Sequence, residues 1–92
     1  MSEHITKMKE IGLKVKEVKA TNSKVKQMIK KICTNDMRYE IEPSSLFDRC
    51  IEICLVAEVD CEYIIDLKEQ YEENNDLNLI NGCKAFLNAC VV

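Results

Sequence analysis

The residues of this chain best suited to chemistry are six cysteines, Cys33, Cys50, Cys54, Cys61, Cys83 and Cys90, among 92 residues. Cys54 and Cys61 are seven positions apart, as are Cys83 and Cys90. Seven positions make two helical turns, so each pair shares one face of a helix. Facing residues of an antiparallel pairing have a constant index sum. Cys54 with Cys90 and Cys61 with Cys83 satisfy that condition, and Cys33 and Cys50 flank the polar stretch between them about symmetrically. Three chemistries fit. The thiols can be reduced and buried, acting as small apolar fillers of tight helix contacts. They can be oxidised, each disulfide stabilising the fold by about 3 kcal/mol through loop closure. Or four of them can hold a soft ion such as Cu(I) or Zn. The third option lacks a Cys-x-x-Cys pair, and the one histidine is His4; no metal and no cofactor is expected.

The layout of Cys54, Cys61, Cys83 and Cys90 resembles the helical hairpins of mitochondrial intermembrane-space proteins with paired cysteine motifs. The resemblance covers residues 54–90, and those families space their pairs at intervals other than the six intervening residues found here. It implies a disulfide-stapled hairpin working in an oxidising compartment.

Other reactive groupings are sparse. Two glycines are too few for most phosphate loops or a dinucleotide fingerprint, and no zinc-protease helix is present. A cysteine nucleophile needs a base, and His4 sits at the start of a different helix from all six thiols. Glu58 with Glu62, and Glu69 with Glu73, lie one turn apart but read as solvated faces rather than acid–base pairs. Enzymatic activity is not expected.

Charge is divided unevenly. Residues 1–34 hold nine Lys against Glu3, Glu10 and Glu17, a net of +6; residues 35–92 hold four basic residues against thirteen acidic ones, a net of −9. The simplest expectation is that the halves attract one another as they pack. The alternative gives the first helix an external anion, with Lys9, Lys16, Lys24 and Lys31 as contacts. Nucleic-acid binding by such a helix would be salt-sensitive and sequence-blind. Against it stand the absence of Arg and of aromatic residues in that helix, and the acidic remainder.

The elements that must position these groups are helical. From Leu46 to Tyr71 there is no Gly or Pro, and Phe47, Cys50, Cys54, Ala57, Cys61, Ile64 and Tyr71 follow the three-and-four alternation of a helical seam. Met8, Ile11, Val15, Val18, Asn22, Val25, Ile29 and Ile32 alternate in the same way, as a coiled-coil-like stripe with one polar member. Thr21-Asn22-Ser23 could instead mark a break capped by Asn22 or Ser23. The expected fold is all-α: an antiparallel hairpin of two long helices, about 2–34 and 44–73, joined by a loop at 35–43, with a shorter third helix over about 76–91, in one domain. Ser44 or Ser45 is the expected cap of the second helix, Asn75 or Asp76 that of the third. Asn81-Gly82, a turn dipeptide, argues for a later start of the last helix.

Two helices near 45 Å long, half covered by a third, leave one end of the hairpin bare. Val25, Met28, Ile29 and Ile32 facing Phe47 and Ile51 are the expected partner-binding surface there, unless Met37, Tyr39 and Ile41 of the loop fold over it. No signal peptide or membrane-spanning stretch is visible, so a cytoplasmic location is expected. The resulting expectation is a non-catalytic helical interaction or assembly module, dimeric or part of a complex, with protein partners and no membrane. The disulfide-stapled hairpin and the nucleic-acid binder are the alternatives.

Overall fold

Long runs of helix-compatible residues with apolar positions every three or four should coil. A computed structural model of the chain, which describes residues 3–35 and 42–91, is helical with no strand among those residues. The described residues form five helices: α1 (Glu3–Thr21), α2 (Ser23–Asn35), α3 (Ser45–Ala57), α4 (Glu62–Asn74) and α5 (Asn78–Val91). The all-α class holds. The two uninterrupted long helices do not: each is broken into two.

The first break falls at Asn22, which is non-helical. Its Oδ1 accepts the N–H groups of Lys24 and Val25 at 3.1 and 3.2 Å, satisfying two donors that a new helix start leaves without partners. Asn22 is thus the cap of α2 rather than a polar residue in a continuous seam. The second break contains no Gly or Pro. Ala57 ends α3, and Glu58 takes the left-handed conformation (φ 58°). Its N–H donates to the carbonyl of Leu55, and that of Val59 donates to Cys54 at 2.9 Å, the two bonds of a Schellman turn. Asp60 then caps α4 by accepting the N–H of Glu62 at 2.9 Å. Asn75 (φ 51°) closes α4, and Asp76 accepts the N–H of Asn78 at 3.0 Å to start α5. Asp76 is the cap that the sequence suggests. Ser44 precedes α3 without a side-chain cap bond, while Ser45 Oγ donates back to the carbonyl of Glu42.

α5 runs parallel to α1. His4 Nε2 donates to the carbonyl of Asn78 at 3.0 Å, Gly82 lies against His4 and Met8, and Gly12 lies against Phe86 and Ala89; Lys19 Nζ reaches the carbonyl of Cys90 at 2.5 Å. Two glycines allow this approach: a Cβ on Gly12 would stand 2.6 Å from the Phe86 carbonyl oxygen, and one on Gly82 3.2 Å from Met8 Cγ. Asn81-Gly82 is therefore interior to α5, and the glycine serves packing instead of a turn. The Lys19 cation at the C-terminal end of α5 also favours that helix's dipole.

The core gathers Met8 and Val15 of α1, Val25 and Ile29 of α2, Phe47, Cys50, Ile53, Cys54 and Ala57 of α3, Ile64 and Leu67 of α4, and Leu79, Ile80, Cys83, Phe86 and Cys90 of α5. α4 is held against α3 by Tyr71, whose ring centroid is 5.6 Å from that of Phe47, and by a Lys68–Asp48 ion pair at 2.5 Å. Lys7 lies over the ring of Tyr63, joining the start of α1 to α4.

Candidate functional site

Four of the cysteines are fully enclosed: Cys50 and Cys54 on α3, Cys83 and Cys90 on α5. Cys33 and Cys61 are half-buried, and all six are free thiols. Cys54 neighbours Cys90, but Cys83 lies against Cys50, whose Sγ is 3.9 Å from the Cys83 carbonyl oxygen, so the contacts advance together along α3 and α5 and do not follow the expected antiparallel order. Among the described residues no group of three or more His, Cys, Asp or Glu side chains is arranged to hold a metal ion.

The surroundings favour the protonated form of Cys33, Cys50, Cys54 and Cys90. Burial pushes Cys54 from 9.0 up to about 12, with Cys61, Cys90 and Asp60 acting the same way. Cys90 also rises to about 12 through burial, although Lys19 pulls it down. Cys50 is raised well above its ordinary value, by burial first and then by Cys83. Burial raises Cys33 too, outweighing Arg49 and Lys19. A thiol nucleophile acts as thiolate, so the enclosed Cys50, Cys54 and Cys90 pack rather than react near neutral pH. His4, half-buried against Gly82, is engaged with Asn78.

The break at Asn22 creates a more open site. Lys16, Lys19, Ala20 and Thr21 of α1 and Ser23 and Lys26 of α2 surround a depression of about 490 Å³. Lys19 and Lys26 also border a second depression of about 270 Å³, lined further by Ile29, Lys30, Cys33, Thr34 and Val91. Together they form a groove with lysines on its rim and an apolar floor, of which Val91 is 42% exposed. The expected attraction between the basic and acidic halves is not expressed in ion pairs. Among the described residues no lysine of α1 or α2 pairs with a carboxylate, and Lys68–Asp48 lies wholly within the acidic half. An anion or an acidic side chain approaching the groove therefore meets Lys16, Lys26 and Lys30, none of which pairs with a carboxylate among the described residues, while Lys19 is engaged with the Cys90 carbonyl.

The residues expected to bind a partner are placed differently from the expectation. Val25, Ile29 and Phe47 are buried because α2 folds onto α3, and Ile32 and Ile51 are partly covered by the same packing; Met28, at 46% exposed, is the one open side chain of the six. The end that two straight helices would leave bare is closed within the chain. Met37, Tyr39 and Ile41, the alternative lid, lie outside the described residues. Of the four expected anion contacts, Lys16 lines the groove, while Lys9 borders a separate shallow depression beside Ala85 and Ala89. Lys24 and Lys31 are exposed on α2 and border neither depression of the groove. Lys19, Lys26 and Lys30, three of the nine lysines of the basic N-terminal stretch, line the groove although they are not among the four expected contacts. Lys26 and Lys30, one turn apart and beside Ile29 and Cys33, carried the available signal.

No helix among the described residues is long and apolar enough to cross a membrane. No protein-family model matches the chain, and neither a curated protein nor a solved structure does.

Proposed function

We propose that this protein is a non-catalytic interaction or assembly module, and that its docking surface is the lysine-rimmed groove between α1, α2 and the end of α5. The observation that carries the reading is the pairing of uncompensated cations (Lys16, Lys26, Lys30) with an apolar floor (Ile29, Val91). That combination suits an acidic amphipathic helix, whose apolar side chains meet the floor while its carboxylates meet the rim. Charge of this kind governs partner choice and encounter rate more than raw affinity. The enclosure of Cys50, Cys54 and Cys90, whose thiols burial raises, supports the non-catalytic part of the reading. Free thiols fit a reducing, cytoplasmic setting.

A direct test titrates the labelled protein with a synthetic amphipathic helix of Leu and Glu at low salt and follows amide chemical shifts. Shifts concentrated on Ile29, Lys30 and Val91, and lost in Lys26→Glu/Lys30→Glu, support the groove. Shifts spread evenly over all exposed lysines would show diffuse ion pairing and end the proposal.

A further inference from the structure

The groove needs an occupant, and the chain itself carries a fitting one. Glu62, Asp66, Glu69 and Glu73 recur at intervals of four, three and four along α4, so they form a single stripe. All four are exposed, and they lie opposite Ile64, Leu67 and Tyr71, which face inward. Ile65, 38% exposed, flanks the stripe. We propose that the lysine-rimmed groove binds the acidic ridge of α4 on a second copy of the chain, so that copies associate head to tail.

This deepens the docking reading above and rests on it. Charge complementarity selects the occupant: the rim is wholly basic, the ridge wholly acidic, and Ile65 supplies an apolar contact for the Val91 floor. Among the described residues no ion pair joins the two surfaces. Both carry like charges one turn apart, Glu62 with Asp66, Glu69 with Glu73, and Lys26 with Lys30. Such pairs destabilise an isolated helix, and an oppositely charged partner relieves both sides at once. Groove and ridge are different patches, so the contact is heterologous and builds rings or open chains rather than a two-fold dimer. A nucleic acid suits the groove less well. The rim offers no arginine and no aromatic ring, and the remainder of the chain is acidic.

The experiment is sedimentation velocity of the whole chain over a concentration series, at about 20 mM and about 300 mM salt, which screens exposed charges strongly at the upper value. The wild type is expected to associate reversibly and to dissociate as salt rises. Lys26→Glu/Lys30→Glu and Glu69→Lys/Glu73→Lys are each expected to weaken association by about tenfold or more alone. Mixed in equal amounts they should associate again, since each then offers the charge the other lacks. Circular dichroism of both doubles confirms that they fold, and recovery on mixing requires folded partners. Failure of the mixture to associate overturns the proposal, as does association indifferent to both reversals, which would point to exposed apolar residues such as Leu55 and Leu77. A wild type that stays monomeric throughout, yet binds the Leu/Glu helix in the groove, removes the second copy and leaves the groove reading in place. Retention on duplex DNA at low salt, lost in Lys26→Glu/Lys30→Glu, would reassign the groove to phosphate.

Discussion

Replacing Gly12 by alanine probes the closest contact in the fold. In an open helix the change should stabilise, because alanine is favoured over glycine by about 1 kcal/mol. Here the new Cβ would fall 2.6 Å from the Phe86 carbonyl oxygen and 2.8 Å from Ala89 Cβ, where ordinary contact begins near 3.4 Å. The first obstacle is backbone, fixed in the hydrogen-bond ladder of α5, so it cannot turn aside. The helices must part by several tenths of an ångström along a contact that encloses Met8, Val15, Phe86 and Cys90. A gap of about 0.5–1 Å forfeits a quarter to a half of each dispersion well, and overpacking of this kind costs about 1–3 kcal/mol or somewhat more. The net expectation is destabilisation of about 1–2 kcal/mol, or roughly 4–16 °C in Tm for a domain of this size. Gly82→Ala is the control. Its Cβ would meet side-chain atoms, His4 Cδ2 at 3.1 Å and Met8 Cγ at 3.2 Å, which need yield by only 0.2 to 0.3 Å. The propensity gain should offset most of that, leaving a change within about 1 kcal/mol. Urea denaturation followed by circular dichroism measures both. Gly12→Ala as stable as the wild type, or less harmful than Gly82→Ala, refutes the close parallel packing of α1 and α5.

The other expectations concern the breaks and the thiols. Glu58→Gly should raise stability by about 0.5–1 kcal/mol, since it relieves a left-handed side chain at the end of α3; a lower urea midpoint would contradict the turn described there. Asn22→Ala should lower stability by about 1 kcal/mol through loss of the cap on Lys24 and Val25, and an unchanged midpoint would favour an unbroken first helix. Above pH 9.0 the unfolded chain releases thiol protons that Cys54 and Cys90 keep in the fold until about pH 12. Their contribution is therefore complete below pH 9 and declines from there to about pH 12, which unfolding midpoints over that range would detect. A thiol reagent at neutral pH should reach Cys33 and Cys61 first, with Cys50, Cys54, Cys83 and Cys90 silent until denaturant is added; rapid modification of all six would refute their enclosure.

Periodicity carried the helical class and much of the core into view. Phe47, Cys50, Cys54, Ala57 and Ile64 stand in the buried seam, whereas Cys61 falls in the break between α3 and α4 and not on the helix that carries Cys54. Apolar spacing reports which side of a helix is covered, yet it is silent about where the axis turns. Asn22 keeps the three-and-four count while capping a new helix. Glu58 ends α3 without a glycine, so its left-handed conformation has no signature in residue type; Asp60, two places before Glu62, was the one cue. The turn at Asn22 sets α2 against α3, covering Val25 and Ile29, and the turn at Glu58 brings α4 back so that Tyr71 meets Phe47. The groove was hidden for a related reason. The seven-residue spacing already puts Lys19 and Lys26 on one side, but nothing in the spacing tells that Val91 of α5 borders the same depression. Gly12 and Gly82 read as flaws in helix propensity, and the structure uses them as points of contact.

The alliance of α1 with α5 joins residues 74 and 71 positions apart, as the His4–Asn78 and Lys19–Cys90 bonds show. A ribosome adding about 5–20 residues per second takes roughly 4–14 s to cover that interval. Throughout it Met8 and Val15 have emerged while their main cover has not. α1 is thus sealed only after α5 has been made, although it precedes α2, α3 and α4. A nascent chain stalled before Phe86 should hold Met8 open to a chaperone, whereas the finished molecule does not.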